Sequence, residues 1–441
     1  MISRRMFMNI AAKSGLSAAT APLWFSEISS RAFAQTTDTY KAIVVITMNG
    51  GNDGNNMIIP LDDAEHSQYS ALRGAIAIPQ SACLPLSGSG RSFGLHPSLA
   101  NIAALYNTGD ALVVANVGPL AAPLTKAQLL QSPNLAPQAL LSHPAGINQW
   151  ESSSAVASPA TGWGGRIADL ITSQSGSLPP ILEGGLASIF SVGRSVQGIV
   201  LQNGSTSFTP LPAGIDQAIL SIAQNDSKSQ NNLVSQAAQI RVQAMNQQVL
   251  LSQATSAGAT LKTQFPQSGF GQGLQTIANT INGRSVIGAS RQIFYLQQGQ
   301  YDTHENQLSL HSSFLSELDT SLGAFMIALR EMGLEKNVLV TTHSDFNRTY
   351  TSNVTGGSDH AWGNHQLILG GGIRGGRIVG TVPEPELNGN LDYNGYGIWI
   401  PDLSVTQMAA SIGTWMGLSS GQVASVFPDL SNFSQGAIAL T

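Results

Sequence analysis

The sequence predicts an α/β protein, a three-layer sandwich in which helices cover both faces of a mostly parallel sheet. Three observations predict it. Short apolar, β-branched runs occur without polar alternation, as strands buried on both faces require. Stretches with apolar residues at three- and four-residue spacing lie between those runs, and the alternation of the two is that of an α/β fold. With 441 residues and 42% hydrophobic content, the chain has enough apolar material for one large core.

The first 34 residues are set apart from that fold. Ser3-Arg4-Arg5-Met6-Phe7 carries the adjacent arginines of a twin-arginine export signal. The stretch from Ile10 to Phe25 is weakly apolar and interrupted by Lys13, too short and too broken for a stable membrane anchor. Ala32-Phe33-Ala34 supplies a small-x-small cleavage pattern, so the folded chain is expected to begin at Gln35 and run to residue 441 as a single α/β domain. The protein is expected in the periplasm or outside the cell, with the twin-arginine translocase as its partner during export.

The first strand is expected at 42–46 and the second at 111–114. Leu99, Ile102 and Leu105 keep a helical period before Gly109, a stop ahead of the second strand. Further strands are expected at 293–296, 338–340 and 367–369. Phe314, Leu318, Leu322, Phe325 and Leu329 predict a helix that Gly333 ends. Residues 214–280 are rich in Gln, Asn, Ser and Ala. Val242, Met245 and Val249 keep a helical period there, so the stretch reads as a helical insertion forming a cap or side layer. The Ser- and Gly-rich stretches at 173–177 and 203–207 read as loops.

Charge and cysteine content exclude several functions. Charged residues are 10% of the chain, against roughly 25% in soluble proteins. The signal carries a net +3, and removing it from the chain's −5 leaves −8, which argues against nucleic acid or an anionic membrane as partner. One cysteine, Cys83, rules out an intramolecular disulfide and a thiolate-ligated cluster; it reads as a small buried hydrophobe.

The polar residues of interest flank the strands. The first strand runs into Asn49-Gly50-Gly51-Asn52-Asp53, where Asp53 can reach a crevice at the strand ends or simply serve a tight turn. Asp302-Thr303-His304 follows the third strand, Asp345-Phe346-Asn347-Arg348 follows the fourth, and Asp359-His360 precedes the fifth. Carboxylate and imidazole together suit zinc, manganese or a similar ion. Ser142-His143 offers a serine that is either a nucleophile or a helix N-cap. Two motif matches fail on context. Gly370-Gly371-Gly372-Ile373-Arg374-Gly375 is followed by extended chain where a dinucleotide site needs a helix. Gly90-Arg91-Ser92-Phe93-Gly94 lacks the strand that a nucleophile elbow needs.

These marks, with Leu95-His96-Pro97-Ser98-Leu99, Trp150, Gly162-Trp163, Arg166, Trp362-Gly363 and the Gly-rich segment at 371–376, resemble a twin-arginine-exported bacterial family known as domain of unknown function fifteen-oh-one. The resemblance covers essentially the whole chain after the signal. That family is similar to the alkaline phosphatase and sulfatase superfamily, which implies an alkaline-phosphatase-like sandwich with a metal centre at the strand ends. Carried over, Asp53, Asp302, His304, Asp345, Asp359 and His360 are the implied ligands of a divalent ion (zinc, manganese or calcium). Ser142, His143 and Arg348 are the implied catalytic residues. The chain departs from the family's pattern at Asp345 and Asn347, where glutamate and glycine are usual. It departs also at Leu141 and Pro144 around the Ser-His pair, at Tyr301 and at Asn49.

The function implied is a metal-dependent hydrolase of phosphate or sulfate esters, acting through a phospho- or sulfo-serine that water then hydrolyses. Small-molecule and polymeric esters both fit as substrates. The alternative is a non-catalytic binding or assembly protein on the same fold.

Overall fold

Nine strands form one central sheet among the described residues, which are 40–88, 90–185, 187–201 and 215–441 of a computed structural model. The stretches read from sequence as an export signal, 1–34, and as a loop, 203–207, lie outside the described residues. The strands are β1 (Lys41–Met48), β2 (Ala111–Gly118), β3 (Ile181–Gly184), β4 (Ile199–Leu201), β5 (Arg291–Gln298), β6 (Val338–Ser344), β7 (Asn364–Gly370), β8 (Ile378–Val379) and β9 (Leu403–Ser404). Their order across the sheet is β8-β2-β7-β6-β1-β5-β3-β4, with β9 also paired to β2. The central strand β1 runs parallel to both neighbours, with Lys41 opposite Arg291 and Ala42 opposite Val338. One of the five strands expected from sequence departs from the parallel set: β7 runs antiparallel to both β6 and β2. That reversal brings the start of β7 to the edge where the parallel strands end.

The helices used below are α1 (Gly54–Met57), α2 (Asp63–Arg73), α3 (Ala100–Thr108), α4 (His143–Ser152), α5 (Trp163–Ile171), α6 (Ile215–Asp226), α7 (Asn232–Gly258), α8 (Gly269–Asn282), α9 (Gln307–Glu331) and α10 (Val405–Met416). The strands' lack of polar alternation follows from the layering. Ala42, Val44, Ile46 and Met48 of β1 point into one core with α3, α8 and α9, while Ile43 and Val45 point into the other with α4, α5 and α10. Both faces of each central strand are therefore apolar, and each fully buried Leu, Ile or Phe contributes roughly 1.5–3 kcal/mol.

Leu315, Leu318, Leu322, Phe325 and Leu329 of α9 are all buried at helical spacing. Gly109 ends α3 in the left-handed conformation, its N–H reaching the carbonyls of Leu105 and Tyr106. The Gln- and Ser-rich stretch is helical, α6 to α8. It is a side layer: Leu251, Ala254, Leu274, Ile277 and Ile281 join the core on the α9 face of the sheet. The Gly-rich segment after β7 leads into β8, not into a helix. Cys83 is buried, and burial pushes its thiol up to about 11. Among the described residues no helix is long and apolar enough to cross a membrane.

Candidate metal centre

The topology gathers five chain segments at one edge of the sheet. Residues 49–53 follow β1, 299–304 follow β5 and 345–348 follow β6, while 358–363 precede the reversed β7. The fifth is the start of α4, which carries His143. Ligands in open parallel sheets bind outside such carboxyl ends.

Asp302 is the hub of this edge. Its Oδ2 lies 3.4 Å from His143 Nε2, and its Oδ1 lies 3.0 Å from His304 Nε2 and 3.4 Å from His360 Nε2. Each imidazole is held from behind by an acceptor at its other nitrogen. His143 Nδ1 meets Asp345 Oδ2 at 2.7 Å, His304 Nδ1 meets Asp359 Oδ1 at 3.0 Å, and His360 Nδ1 meets the Leu141 carbonyl at 2.8 Å. A carboxylate or carbonyl oxygen can only accept, so Nδ1 carries a hydrogen in all three, and each Nε2 is turned toward the Asp302 carboxylate. His304 Nε2 and His360 Nε2 stand 3.0 Å apart. One ligand atom each from His143, Asp302 and His360 lies within 4.8 Å of the others.

The backing of the site is backbone-built. Gly50 (φ +107°) and Gly51 (φ +83°) bend the chain after β1 in a conformation that L side chains rarely adopt. A Cβ on Gly50 would stand 2.5 Å from the Asp302 nitrogen, and one on Gly51 would run into the Phe346 ring. Their carbonyls receive Arg348, whose Nε donates to Gly51 O at 2.9 Å and whose terminal nitrogens donate to Gly50 O, Ser358 O and Asp302 Oδ1. Arg348 is fully buried beneath Asp302.

These contacts set the electrostatics. The hydrogen bond to Asp345 raises the His143 imidazole above its ordinary range, burial opposing. His360 is lowered, chiefly by burial. Burial works to raise Asp302, but the hydrogen bond and charge of Arg348, with His304 and His143, outweigh it and the net shift is downward. Asp302 is thereby held as a carboxylate, the form a metal ion binds.

Of the residues singled out from sequence, His143, Asp302, His304, Asp345, Asp359, His360 and Arg348 are brought together. Asp345 stands behind His143 instead of facing the shared space, where an aspartate's shorter reach is enough. Arg348 supports Asp302 and has no face turned to solvent. Asp53 does not join the group. It is 0% exposed, paired with Arg73, bonded by Gln307, and caps α1 by accepting from the N–H groups of Asn55 and Asn56.

Ser142 sits at the N-cap of α4 but makes no capping bond with its side chain. Its neighbours Leu141 and His143 both touch the cluster, and Leu141 holds φ at +71°. Sequence reasoning missed the Leu141 carbonyl, Arg73 and Gln307. A carbonyl leaves no mark in residue identity, and Arg73 and Gln307 lie on helices where polar residues are ordinary.

Residues 40–409 match a family described as "Protein of unknown function (DUF1501)". Among solved structures, the chain is similar to the PsFucS1 sulfatase from Pseudoalteromonas sp., at 11% identity over 90% of this chain and 72% of that one, TM-score 0.35. It is similar to the lipoteichoic acid synthase LtaP from Listeria monocytogenes, at 7% identity over 90% and 78%, TM-score 0.32. A protein in the alkaline phosphatase superfamily from Vibrio parahaemolyticus is 10% identical over 86% and 67%, TM-score 0.34. At those scores the likenesses bear on neither the site nor a reaction. No curated protein matches the chain. The match to the family covers most of the 441 residues, and the chain belongs to that family, DUF1501.

Proposed function

We propose that this protein is an exported, metal-dependent hydrolase of phosphate or sulfate esters. One observation carries the metal. His304 Nε2 and His360 Nε2 face each other at 3.0 Å while both Nδ1 atoms are committed to oxygen acceptors. Two neutral rings so held set their Nε2 lone pairs against each other, a repulsion that a shared proton or a metal ion relieves, and the Asp302 oxygen beside both nitrogens supports the metal. Nitrogens about 2.0–2.1 Å from a common tetrahedral ion stand about 3.3 Å apart, so the 3.0 Å spacing is within a few tenths of an ångström of a shared ion's. His143, Asp302, His304 and His360 are the residues that would hold it. A set of three imidazoles and one carboxylate suits zinc or manganese and disfavours calcium, which takes six to eight oxygens.

A divalent ion bound there would supply Lewis-acid polarisation of an ester oxygen. The chain's own residues supply the rest. Ser142 is the candidate nucleophile: its hydroxyl is not spent on capping, and it stands at the N-terminus of α4, where the helix dipole favours an anion. Asp345 orients His143, and Arg348 orients Asp302.

The test is elemental analysis of the mature chain followed by assay against aryl phosphates and sulfates. We expect bound zinc or manganese, lost in Asp302→Ala, and turnover abolished in Ser142→Ala with the metal retained. Metal-free protein with unchanged stability would instead favour a binding protein, and full activity of Ser142→Ala would remove the serine from the reaction.

A further inference from the structure

The charges at the metal centre discriminate between kinds of ester. The centre holds the carboxylate of Asp302, those of Asp345 and Asp359 behind His143 and His304, and among the described residues bonded to it a single guanidinium, that of Arg348. The formal balance is therefore −2, which one divalent ion brings to neutral. Arg348 is fully buried, and its nitrogens donate to the carbonyls of Gly50, Gly51 and Ser358 and to Asp302. It cannot turn to a substrate without abandoning those acceptors inside the protein, which is costly. Among the described residues no other lysine or arginine is seen bonded to this cluster. The exposed groups of the cluster are carboxylates and imidazoles: Asp302 is 45% exposed, Asp359 61%, His304 43% and His143 33%.

Resting on the hydrolase reading above, we infer that this centre prefers tetrahedral esters carrying one negative charge, sulfate monoesters and phosphodiesters, over phosphate monoesters carrying two. A monoanion adds one charge to a centre that the metal has just neutralised. A dianion adds two beside the exposed carboxylates of Asp302 and Asp359, with no free cation to receive the second. Like charges within several ångströms of each other in a partly desolvated site change binding by an order of magnitude or more. The reaction itself is the same for all three. Ser142 Oγ bonds to phosphorus or sulfur as the bond to the alcohol breaks, and the serine's proton ends on the leaving oxygen; water then cleaves the seryl ester, its oxygen staying on the acid and one of its protons restoring the hydroxyl.

The experiment compares kcat/KM for 4-nitrophenyl sulfate, bis(4-nitrophenyl) phosphate and 4-nitrophenyl phosphate on the metal-loaded protein at pH 7.5, and by calorimetry the Kd of the same three esters for metal-loaded Ser142→Ala, where the same order is expected. The phosphate monoester is a dianion there, its second pKa being about 6. We expect at least one monoanionic ester to exceed the phosphate monoester by about tenfold or more, and which one does so separates sulfatase from diesterase. Asp359→Asn, whose Oδ1 still accepts from His304, should narrow that gap severalfold by removing one negative charge. A phosphate monoester turned over fastest, or a gap indifferent to Asp359→Asn, would overturn the inference and leave the hydrolase reading standing. No turnover of any of the three by metal-loaded protein would sink the hydrolase reading, and this inference with it.

Discussion

His143 donates from Nδ1 to Oδ2 of Asp345 at 2.7 Å, which fixes the ring and aims Nε2 at Asp302, 3.4 Å away. A carboxylate behind a metal-binding imidazole sets its tautomer and basicity without touching the ion. Asp345→Asn is therefore expected to keep metal but weaken its binding about 10–100-fold. Asp302→Ala should abolish binding. Titration of the apoprotein with zinc, read by calorimetry, checks both. Equal loss in the two variants would make Asp345 a direct ligand.

Chelation should lower thermal stability. An ion that binds only the folded chain adds about 2.7 kcal/mol at a free concentration 100 times its Kd. The melting temperature of metal-loaded protein should fall on adding a chelator and recover with zinc. His360→Ala should melt at the chelated value whether or not zinc is present. A wild-type melting curve indifferent to the chelator would contradict the proposed centre.

Ser142→Ala tests the nucleophile separately from the fold. The side chain makes no capping bond, so its loss should change stability by less than about 0.5 kcal/mol. Turnover should fall by at least three orders of magnitude if the hydroxyl forms the bond to phosphorus or sulfur. Metal content and melting temperature should be those of the wild type.

The Asp53–Arg73 pair is predicted to matter to stability and not to metal. Both side chains are 0% exposed, and removing one partner of a buried ion pair typically costs about 3–5 kcal/mol. Asp53→Ala should show that loss by urea denaturation. Whatever folded protein remains should bind metal at the wild-type stoichiometry. Folded but metal-free Asp53→Ala would bring Asp53 back among the ligands.

Stability should also fall on the acid side. Burial pulls His343 and His311 down to about 3, and His365 to about 4. The unfolded chain titrates its histidines near 6.5, so between that pH and the folded values the unfolded state binds more protons. The contribution is complete above about pH 6.5 and is lost as pH falls toward 3–4, each residue adding a slope of up to about 1.4 kcal/mol per pH unit. The melting temperature at pH 4.5 should lie about 10 °C or more below that at pH 7.5. A flat profile across that range would mean these rings are hydrated.

Much of the fold was legible in the sequence. The five strands expected from apolar runs all occur, because strands buried on both faces leave a mark that local composition carries. Gly109 ended a helix for the same local reason. The direction of β7 was not legible, since an apolar run reads the same whichever way it lies. That direction matters most to the site: had β7 run parallel, Asp359 and His360 would stand at the opposite edge of the sheet from Asp302.

By itself, the sequence determined the layered α/β architecture, the family, and the short list of Asp and His residues beside strand ends. Only the tertiary structure decided their parts. Asp53 and Asp302 both follow strands, yet Asp53 is closed against Arg73 from α2 while Asp302 faces three imidazoles drawn from three segments. A side chain's role depends on what packs within about 4 Å of it, and although His304 lies beside Asp302 in the chain, the other deciding neighbours come from 20 to more than 200 positions away.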